Sequence, residues 1–127
     1  MYKVSPIPIK RRVRFTKTGH SYTDVKTADD LRRVANCYTG EYHPDAPLRL
    51  RLQIVKPLPK AKKRPEPFTT KPDIDNVIKA VMDGLNGKAF KDDSQIVEVI
   101  ATKTMRTHNA EECVLFNVEV INGQARD

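Results

Sequence analysis

The sequence predicts a small α/β (α+β) domain in which two helices pack against a small mixed β-sheet. Two kinds of segment indicate this class: runs of alternating apolar and polar residues, typical of half-buried strands, and runs with apolar residues at helical spacing. They follow one another in the order β-α-β-α-β-β, which favours a mixed sheet with both helices on one face. At 127 residues the chain is long enough for one domain with a substantial core. We therefore expect a single domain over residues 1–127.

The N-terminal third is predicted to form an edge strand, a basic turn and a helix. Residues 2–9 show a weak alternation of apolar and polar residues and contain two prolines, which restrict a strand to the edge of a sheet. Residues 10–23 are basic and contain Gly19, and we expect a hairpin or loop there. A helix is expected to begin at Thr27 as its N-cap, to carry two aspartates in its first turn, and to end near Gly40.

Three further strands are predicted. Residues 47–56 alternate apolar and polar residues, which indicates a half-buried strand with Arg49 and Arg51 on its open face. Residues 96–103 and 114–121 are rich in β-branched and aromatic residues, and we expect them to be strands joined by a hairpin connection.

A loop and a second helix lie between these strands. Residues 57–72 are rich in proline and lysine, so we expect an exposed, mobile, basic loop. Residues 73–87 carry apolar residues on one helical face and predict a helix. Gly84 is expected to weaken this helix slightly near its end, and Asn86 with Gly87 is expected to stop it.

The charge is unevenly distributed along the chain. The formal net charge is +7; residues 1–72 hold 17 Lys and Arg against 6 Asp and Glu, whereas residues 73–127 hold 6 against 10. This asymmetry favours a polyanionic partner for the first half and a cation site in the second.

Neither the cysteines nor the N-terminus suggests a secreted or membrane protein. Cys37 and Cys113 lie in apolar segments, where buried free thiols are expected rather than a disulfide or a zinc site. There is no apolar run near the roughly 20 residues that span a membrane, and no signal-peptide core. We therefore expect the protein in the cytoplasm.

Four carboxylates lie close together in this basic chain, namely Asp73, Asp75, Asp92 and Asp93. Carboxylate oxygens are preferred ligands of Mg²⁺ and Mn²⁺, and a helix start beside a strand start can place three of them around one ion. Lys79, one helical turn after Asp75, could stabilise charge at a scissile phosphate. The alternative is an ordinary role for each acid: a helix cap, a surface ion pair with Lys79, and a polar turn.

Two clusters of basic residues are candidates for DNA phosphate contacts. The first contains Lys10, Arg11, Arg12, Arg14 and Lys17, and the second contains Lys62, Lys63, Arg64 and Lys71.

The acidic region resembles the RusA-type Holliday junction resolvases, which are crossover junction endodeoxyribonucleases. The resemblance extends over most of the chain and is most specific between residues 71 and 97. The matching motifs are Lys71-Pro72-Asp73-Ile74-Asp75-Asn76 with Lys79 one turn on, Asp83-Gly84-Leu85-Asn86-Gly87, and Asp92-Asp93-Ser94-Gln95-Ile96-Val97.

This resemblance implies a homodimeric, Mg²⁺-dependent endonuclease, with Mn²⁺ as a second candidate metal. It would bind four-way DNA junctions and nick two opposed strands symmetrically, in DNA recombination and repair. The metal-binding acids of the family correspond to Asp73, Asp75 and Asp93, its important lysine to Lys79, and Asp92 to a neighbouring acid with a supporting role. Many members are encoded by phages and prophages, which suggests such an origin here.

Two other functions fit the same residues. One is a structure-specific nuclease that prefers flaps or replication forks. The other is a non-catalytic branched-DNA-binding protein in which the acids bind metal only structurally. The presence of the complete set formed by Asp73, Asp75, Lys79 and Asp93 argues against the second.

Overall fold

The computed structural model of the chain describes residues 1–9, 14–15, 21–22, 25–63 and 67–122. These residues form six strands and two α-helices, with one short 3₁₀ turn at Asp93–Gln95. The elements are β1 (Tyr2–Val4), β2 (Arg14–Phe15), β3 (Ser21–Tyr22), α1 (Val25–Cys37), β4 (Leu48–Lys56), α2 (Ile74–Leu85), β5 (Ile96–Met105) and β6 (Cys113–Val120).

Four of the strands form one mixed sheet in the order β1-β6-β4-β5. β4 pairs in parallel with β5 and antiparallel with β6, and β1 closes the other edge antiparallel to β6. β2 and β3 form a separate antiparallel pair within the basic N-terminal segment. The predicted class, a small mixed sheet with two helices, is confirmed.

The predicted hairpin between the last two strands is wrong. β4 lies between β5 and β6, so the segment that joins them crosses the end of β4. The backbone N–H of Arg106 donates to the carbonyl of Lys56 at 3.0 Å, and that of Leu58 donates to the carbonyl of Thr107 at 3.1 Å. Alternation identifies a strand but does not identify its neighbours, which is why the sequence did not reveal this crossing.

The core lies between one face of the sheet and the two helices, which pack against each other. Every second residue of β4, from Leu48 to Ile54, is buried on this face, as the alternation predicts. The helices contribute the apolar residues Val34 and Tyr38 from α1 and Val77, Val81 and Leu85 from α2.

Arg49 and Arg51 lie on the opposite face, as predicted, and both are paired with glutamates of neighbouring strands. The Nε of Arg49 lies 2.6 Å from the carboxylate of Glu98, and the Nε of Arg51 lies 2.8 Å from that of Glu119. Hydrogen bonds from Arg51 and Arg49 hold the pKa of Glu119 below its usual range. The charge of these two arginines is therefore largely balanced within the sheet.

α1 differs from the prediction at both ends. It begins at Val25, so Thr27 lies inside its first turn, and the predicted Thr27 cap is wrong. The Thr27 side chain is buried, and its hydroxyl oxygen has no hydrogen-bond partner in the described part of the chain. The helix ends at Cys37, three residues before the predicted stop at Gly40.

The two aspartates expected in the first turn of α1 lie in its second turn instead. One of them, Asp30, is 5% exposed and pairs with Arg33. Its carboxylate also accepts a hydrogen bond from the backbone N–H of Ile9, and Arg33 donates to the carbonyl of Pro6 at 2.8 Å. Asp30 and Arg33 therefore tie the segment after β1 to α1.

The predicted exposed loop is only partly exposed. Residues 59–63 are exposed as expected, and residues 64–66 lie outside the described residues. Leu58 and Phe68 are each only 6% exposed, and Pro72 is buried. The two ends of this segment are therefore fixed to the domain by apolar side chains, which a count of prolines and lysines does not reveal.

Cys37 and Cys113 are free thiols, as expected. Cys113 is buried and Cys37 is partly buried, and burial raises the pKa of both thiols. Within the described ranges neither helix is long and apolar enough to cross a membrane. The cytoplasmic location stays a prediction.

The turn before β5 is held to the rest of the domain by one amide side chain. The Oε1 of Gln95 accepts hydrogen bonds from the backbone N–H groups of Lys91 at 2.9 Å and Asp92 at 3.1 Å. Its Nε2 donates to the carbonyls of His43 at 2.9 Å and Ala46 at 3.1 Å. Gln95 therefore joins the acidic turn to the segment before β4.

Replacement of Gly84 by Ala should destabilise the protein, although alanine is the better helix former. An added Cβ would lie 2.6 Å from the Cβ of Val34 and 2.9 Å from the carbonyl oxygen of Leu31, because α1 and α2 meet at this position. We expect a loss of about 1–3 kcal/mol in the free energy of unfolding, measured by urea denaturation. Asn36→Ala, at an exposed position of α1, is the control and should be close to neutral. A Gly84→Ala protein more stable than the wild type would contradict the close contact.

Replacement of Gln95 by Leu should lower the free energy of unfolding by about 1–3 kcal/mol, because two N–H groups and two carbonyls lose their partner. Gln95→Glu keeps the acceptor for the N–H groups but cannot donate to the carbonyls, so it should recover only part of the loss. Gln53→Leu is the matched control, because that side chain accepts one hydrogen bond, from Arg106, on the open face. Equal stability of Gln95→Leu and the control would show that the amide does not hold the turn.

Candidate active site

Two of the predicted carboxylates lie at the start of α2. Asp73 occupies the N-cap position and Asp75 lies in the first turn. The Asp73 side chain makes no capping hydrogen bond, so the prediction of Asp73 as a cap holds for its position but not for its carboxylate. Val77 and Val81 are fully buried on the core side of α2, whereas Asp75 is exposed. The helix therefore presents both carboxylates to solvent at its electropositive end, where acids are favoured.

The carboxylate of Asp73 contacts a cationic group. The Nζ of Lys71 lies 2.9 Å from each of its two oxygens. Both side chains are substantially exposed, at 84% for Lys71 and 46% for Asp73, so the pair contributes at most about 1 kcal/mol to stability. The contact shows that both oxygens of Asp73 are oriented to receive positive charge.

Asp75 and Lys79 are neighbours on the solvent side of α2. Both side chains are exposed, and their spacing places them one turn apart. In the described residues, no hydrogen bond or ion pair joins them. The surface ion pair considered as an alternative role is therefore not formed, and both charges face solvent.

The adjacent acids of the turn before β5 differ in their surroundings. Asp92 caps the turn, and its carboxylate accepts a hydrogen bond from the backbone N–H of Ser94 at 3.2 Å. Hydrogen bonds from Ser94 hold the pKa of Asp92 below its usual range. The carboxylate of Asp93 is half-buried and makes no hydrogen bond or ion pair to another described residue. Asp92 therefore shapes the turn, whereas the side chain of Asp93 takes no part in holding it.

The predicted ligands come from two segments that the structure does not close into one metal site. Among residues 1–9, 25–63 and 67–122, no three His, Cys, Asp or Glu side chains are grouped so that they could hold a metal ion. Asp73 and Asp75 lie at the N-cap and in the first turn of α2, and Asp93 precedes β5, which packs against α2. The donors nevertheless fit Mg²⁺ or Mn²⁺ chemically, because all three are carboxylates without capping bonds and Asp73 already contacts a cation.

The candidate DNA contacts are described only in part. Lys62 and Lys63 are exposed, and Lys71 lies at the carboxylate of Asp73. Arg64 lies outside the described residues, as do Lys10, Arg11, Arg12 and Lys17; for Arg14 only the backbone of β2 is described.

Sequence reasoning missed the side chains that hold these segments in place. Lys56 and Lys103 donate to the backbone of residues 70–71, next to a buried Phe68, and Gln95 holds the acidic turn. One signal for Lys103 was available in the sequence, because it is a lysine at a position of β5 that faces the core side. Its partner could not be predicted, since the contact joins residues far apart in the chain.

Comparison with known proteins identifies one relative and one family. The chain is 36% identical to the uncharacterized protein YqaN of Bacillus subtilis (strain 168) over an alignment of 81 residues, and the match covers 55% of this chain and 57% of that protein. The match thus spans little more than half of either chain. The family model described as endodeoxyribonuclease RusA matches residues 4–113, a range that extends from β1 to the first residue of β6 and includes the site residues. Because this match covers most of the sequence, the chain belongs to the RusA endodeoxyribonuclease family.

Proposed function

We propose that this protein is a divalent-metal-dependent endodeoxyribonuclease that resolves Holliday junctions by paired symmetric nicks, in DNA recombination and repair. The observation that supports this most is the start of α2, which presents the carboxylates of Asp73 and Asp75 to solvent within the region matched by the RusA family. Lys79 lies one turn further along the same helix. Acids and a lysine in this arrangement suit hydrolysis of a phosphodiester.

Asp73, Asp75 and Asp93 are the residues that would hold Mg²⁺ or Mn²⁺ in this proposal. When bound, such a metal ion stabilises charge on the phosphate and lowers the pKa of a water nucleophile. Asp92 supports the site through the turn, because its carboxylate already caps Ser94. This division of roles between adjacent acids follows from their different hydrogen bonding.

Lys79 is proposed to position the scissile phosphate and to stabilise the charge that develops on it. Its side chain is exposed and makes no ion pair with Asp75 in the described part of the chain, so its ammonium is available to an incoming phosphate. An ammonium at this position contributes more in the transition state, where negative charge increases, than in the bound substrate.

The basic clusters are proposed to bind the phosphates of the junction arms. Lys62 and Lys63 are exposed and belong to the segment that leads to the site, and Lys71 lies beside Asp73. The balanced pairs of Arg49 and Arg51 on the open sheet face are not part of this proposal, since glutamates already neutralise them. Binding through phosphates would be strongly salt-dependent.

The protein is proposed to act as a homodimer. Two nicks on opposed strands of a four-way junction require two active sites related by symmetry, and a closed two-fold assembly supplies them. The resemblance to the resolvase family is the support for this proposal.

Asp75→Asn should abolish cleavage and preserve binding. With Mg²⁺, the wild type should introduce paired symmetric nicks into a labelled synthetic four-way junction and leave a linear duplex of the same sequence intact. We expect the variant to cleave on the order of 100-fold more slowly or not at all, because a metal ligand is lost. Its junction affinity should be equal or higher, since repulsion between the acid and DNA falls. The measurements are gel-resolved cleavage and junction binding in EDTA.

Asp45→Asn, an exposed aspartate outside the site, is the matched control and should cleave like the wild type. If Asp75→Asn cleaves normally, the assignment of the site is wrong. If the wild type binds junctions but cleaves none with any metal tried, the non-catalytic branched-DNA-binding protein becomes the better reading. Faster cleavage of flaps or forks than of junctions would favour the other nuclease.

The protein should sediment without DNA at twice the chain mass of 14.5 kDa. Mixed dimers of one wild-type and one Asp75→Asn subunit, isolated through two different tags, should nick a junction on one strand only. That result would follow because each subunit cuts its own strand. Paired nicks from the mixed dimer, or a monomer that resolves junctions at the same rate, would contradict the dimer.

A further inference from the structure

We propose that Lys56 and Lys103 are positioning residues that fix the backbone of residues 68–71 and thereby orient Asp73. The inference rests on the proposed function, since it assigns a role in the same metal site. Neither lysine belongs to the acidic motif or to the basic clusters. Their hydrogen bonds, their contact with Phe68 and their position in the sheet support the assignment.

The two lysines hold consecutive peptide groups. The ammonium of Lys103 donates a hydrogen bond to the carbonyl oxygen of Thr70 at 2.7 Å. The ammonium of Lys56 donates to the carbonyl oxygen of Lys71 at 3.0 Å. These carbonyls lie three and two residues before Asp73, so the last part of the loop before α2 is bonded to the ends of two strands.

Phe68 is the fixed point against which both lysines pack. Its side chain is 6% exposed and belongs to the core. The Nζ of Lys103 lies over its ring at 4.7 Å from the centroid, and the Nζ of Lys56 lies over it at 5.5 Å. Both distances are within the roughly 6 Å at which a cation is attracted by a ring. Each ammonium therefore has a ring and a carbonyl oxygen as partners.

The register of the sheet brings the two lysines together. β4 and β5 are parallel, and Lys103 lies opposite Ile54, which is two residues before Lys56. Since alternate residues share a face, both lysines lie on the helix-covered face at the ends of neighbouring strands. Both lysine side chains are only partly buried, and their hydrogen bonds are exposed to solvent, so the two ammonium groups keep part of their hydration. The inference is carried by their hydrogen bonds to two consecutive carbonyls and by their contact with the same buried ring.

Fixing these carbonyls sets how the chain enters α2. Pro72 is buried, and Asp73 follows at the N-cap. Lys71, whose carbonyl is held by Lys56, also contacts both carboxylate oxygens of Asp73. The hydrogen bond from Lys56 to Lys71 therefore fixes the backbone just before Asp73 and also the residue whose ammonium group contacts the Asp73 carboxylate. A displacement of about 1 Å at such a site can cost on the order of 100-fold in rate.

The test replaces Lys56 and Lys103 singly by Met, which keeps the apolar stem and removes the donor and the charge. Binding of Mn²⁺ alone is followed by the electron paramagnetic resonance signal of the free ion, with Asp75→Asn protein defining the binding that belongs to this site. We expect site-specific Mn²⁺ affinity to fall about 10-fold in each variant. The single-turnover cleavage rate at saturating junction should fall by a similar factor, while junction affinity in EDTA stays unchanged.

Two further variants separate positioning from loss of charge. Lys88→Met removes a charge at an exposed lysine whose side chain makes no hydrogen bond or ion pair to the other described residues, and it should match the wild type. Lys103→Arg keeps a donor for the carbonyl of Thr70 and a cation over Phe68, and it should restore most of the Mn²⁺ affinity. Thermal unfolding shows that each variant is folded; if one is not, the other lysine, on a different strand, decides.

Mn²⁺ affinity that is unchanged in both Met variants would overturn the proposal. So would a loss of junction affinity with a shallower salt dependence and normal Mn²⁺ binding, because that result assigns the lysines to phosphate contacts. A wild type that binds Mn²⁺ at Asp75 but cleaves no junction would overturn the proposed function. The Mn²⁺ affinities of the Met variants would then decide whether Lys56 and Lys103 are positioning residues. If the wild type cleaves and both Met variants bind Mn²⁺ normally, only the positioning role of Lys56 and Lys103 would be overturned.

Discussion

The proposed site depends on holding carboxylates of two separate segments in fixed positions, although all of them are at least partly exposed to water. Nothing in the acids themselves does this, because Asp75 and Asp93 make no hydrogen bond or ion pair to other described residues and like charges repel. The backbone of the two segments that carry these acids must therefore be held by other residues. Gln95 does so for the turn before β5 through four hydrogen bonds, and two lysines next to Phe68 do so for the loop before α2. Polar contacts to carbonyls therefore act together with the buried Phe68 and Pro72 to hold the segments that carry the carboxylates.

Much of the fold could be predicted because hydrophobic period is a local property. β4 and α2 match their predicted ranges to within two residues, since alternation and helical spacing are strong in both segments. The start of α1 was predicted wrongly because Thr27 resembles a cap in the sequence but is buried in the helix. The order of strands was not accessible either. β5 and β6 have the pattern of a hairpin, yet β4 separates them, and only long-range pairing decides this.

The acids of the site could be found from the sequence because they lie close together in a basic chain and form a long motif. Their supports could not, because the hydrogen bonds from Lys103 to Thr70 and from Gln95 to His43 join residues far apart in sequence. Gly84 is a second example of a contact between elements that the sequence does not reveal. Helix propensity predicts that glycine weakens the helix, whereas in the structure Gly84 lies where the two helices are in close contact. Spacing reveals candidate ligands, but packing between elements decides what keeps them in place.

The parallel pairing of β4 and β5 has a consequence for the order of folding. Asp73, Asp75 and Asp93 all belong to the connection that leaves the end of β4 and returns to the start of β5. Such a crossover must close a long loop before the two strands can pair, and long-range pairing of this kind is intrinsically slow. A chain that is still being synthesised, or that is partly unfolded, contains the acids but not their arrangement. In the proposed function, metal binding would therefore be coupled to completion of the sheet, and cleavage would be a property of the finished fold alone.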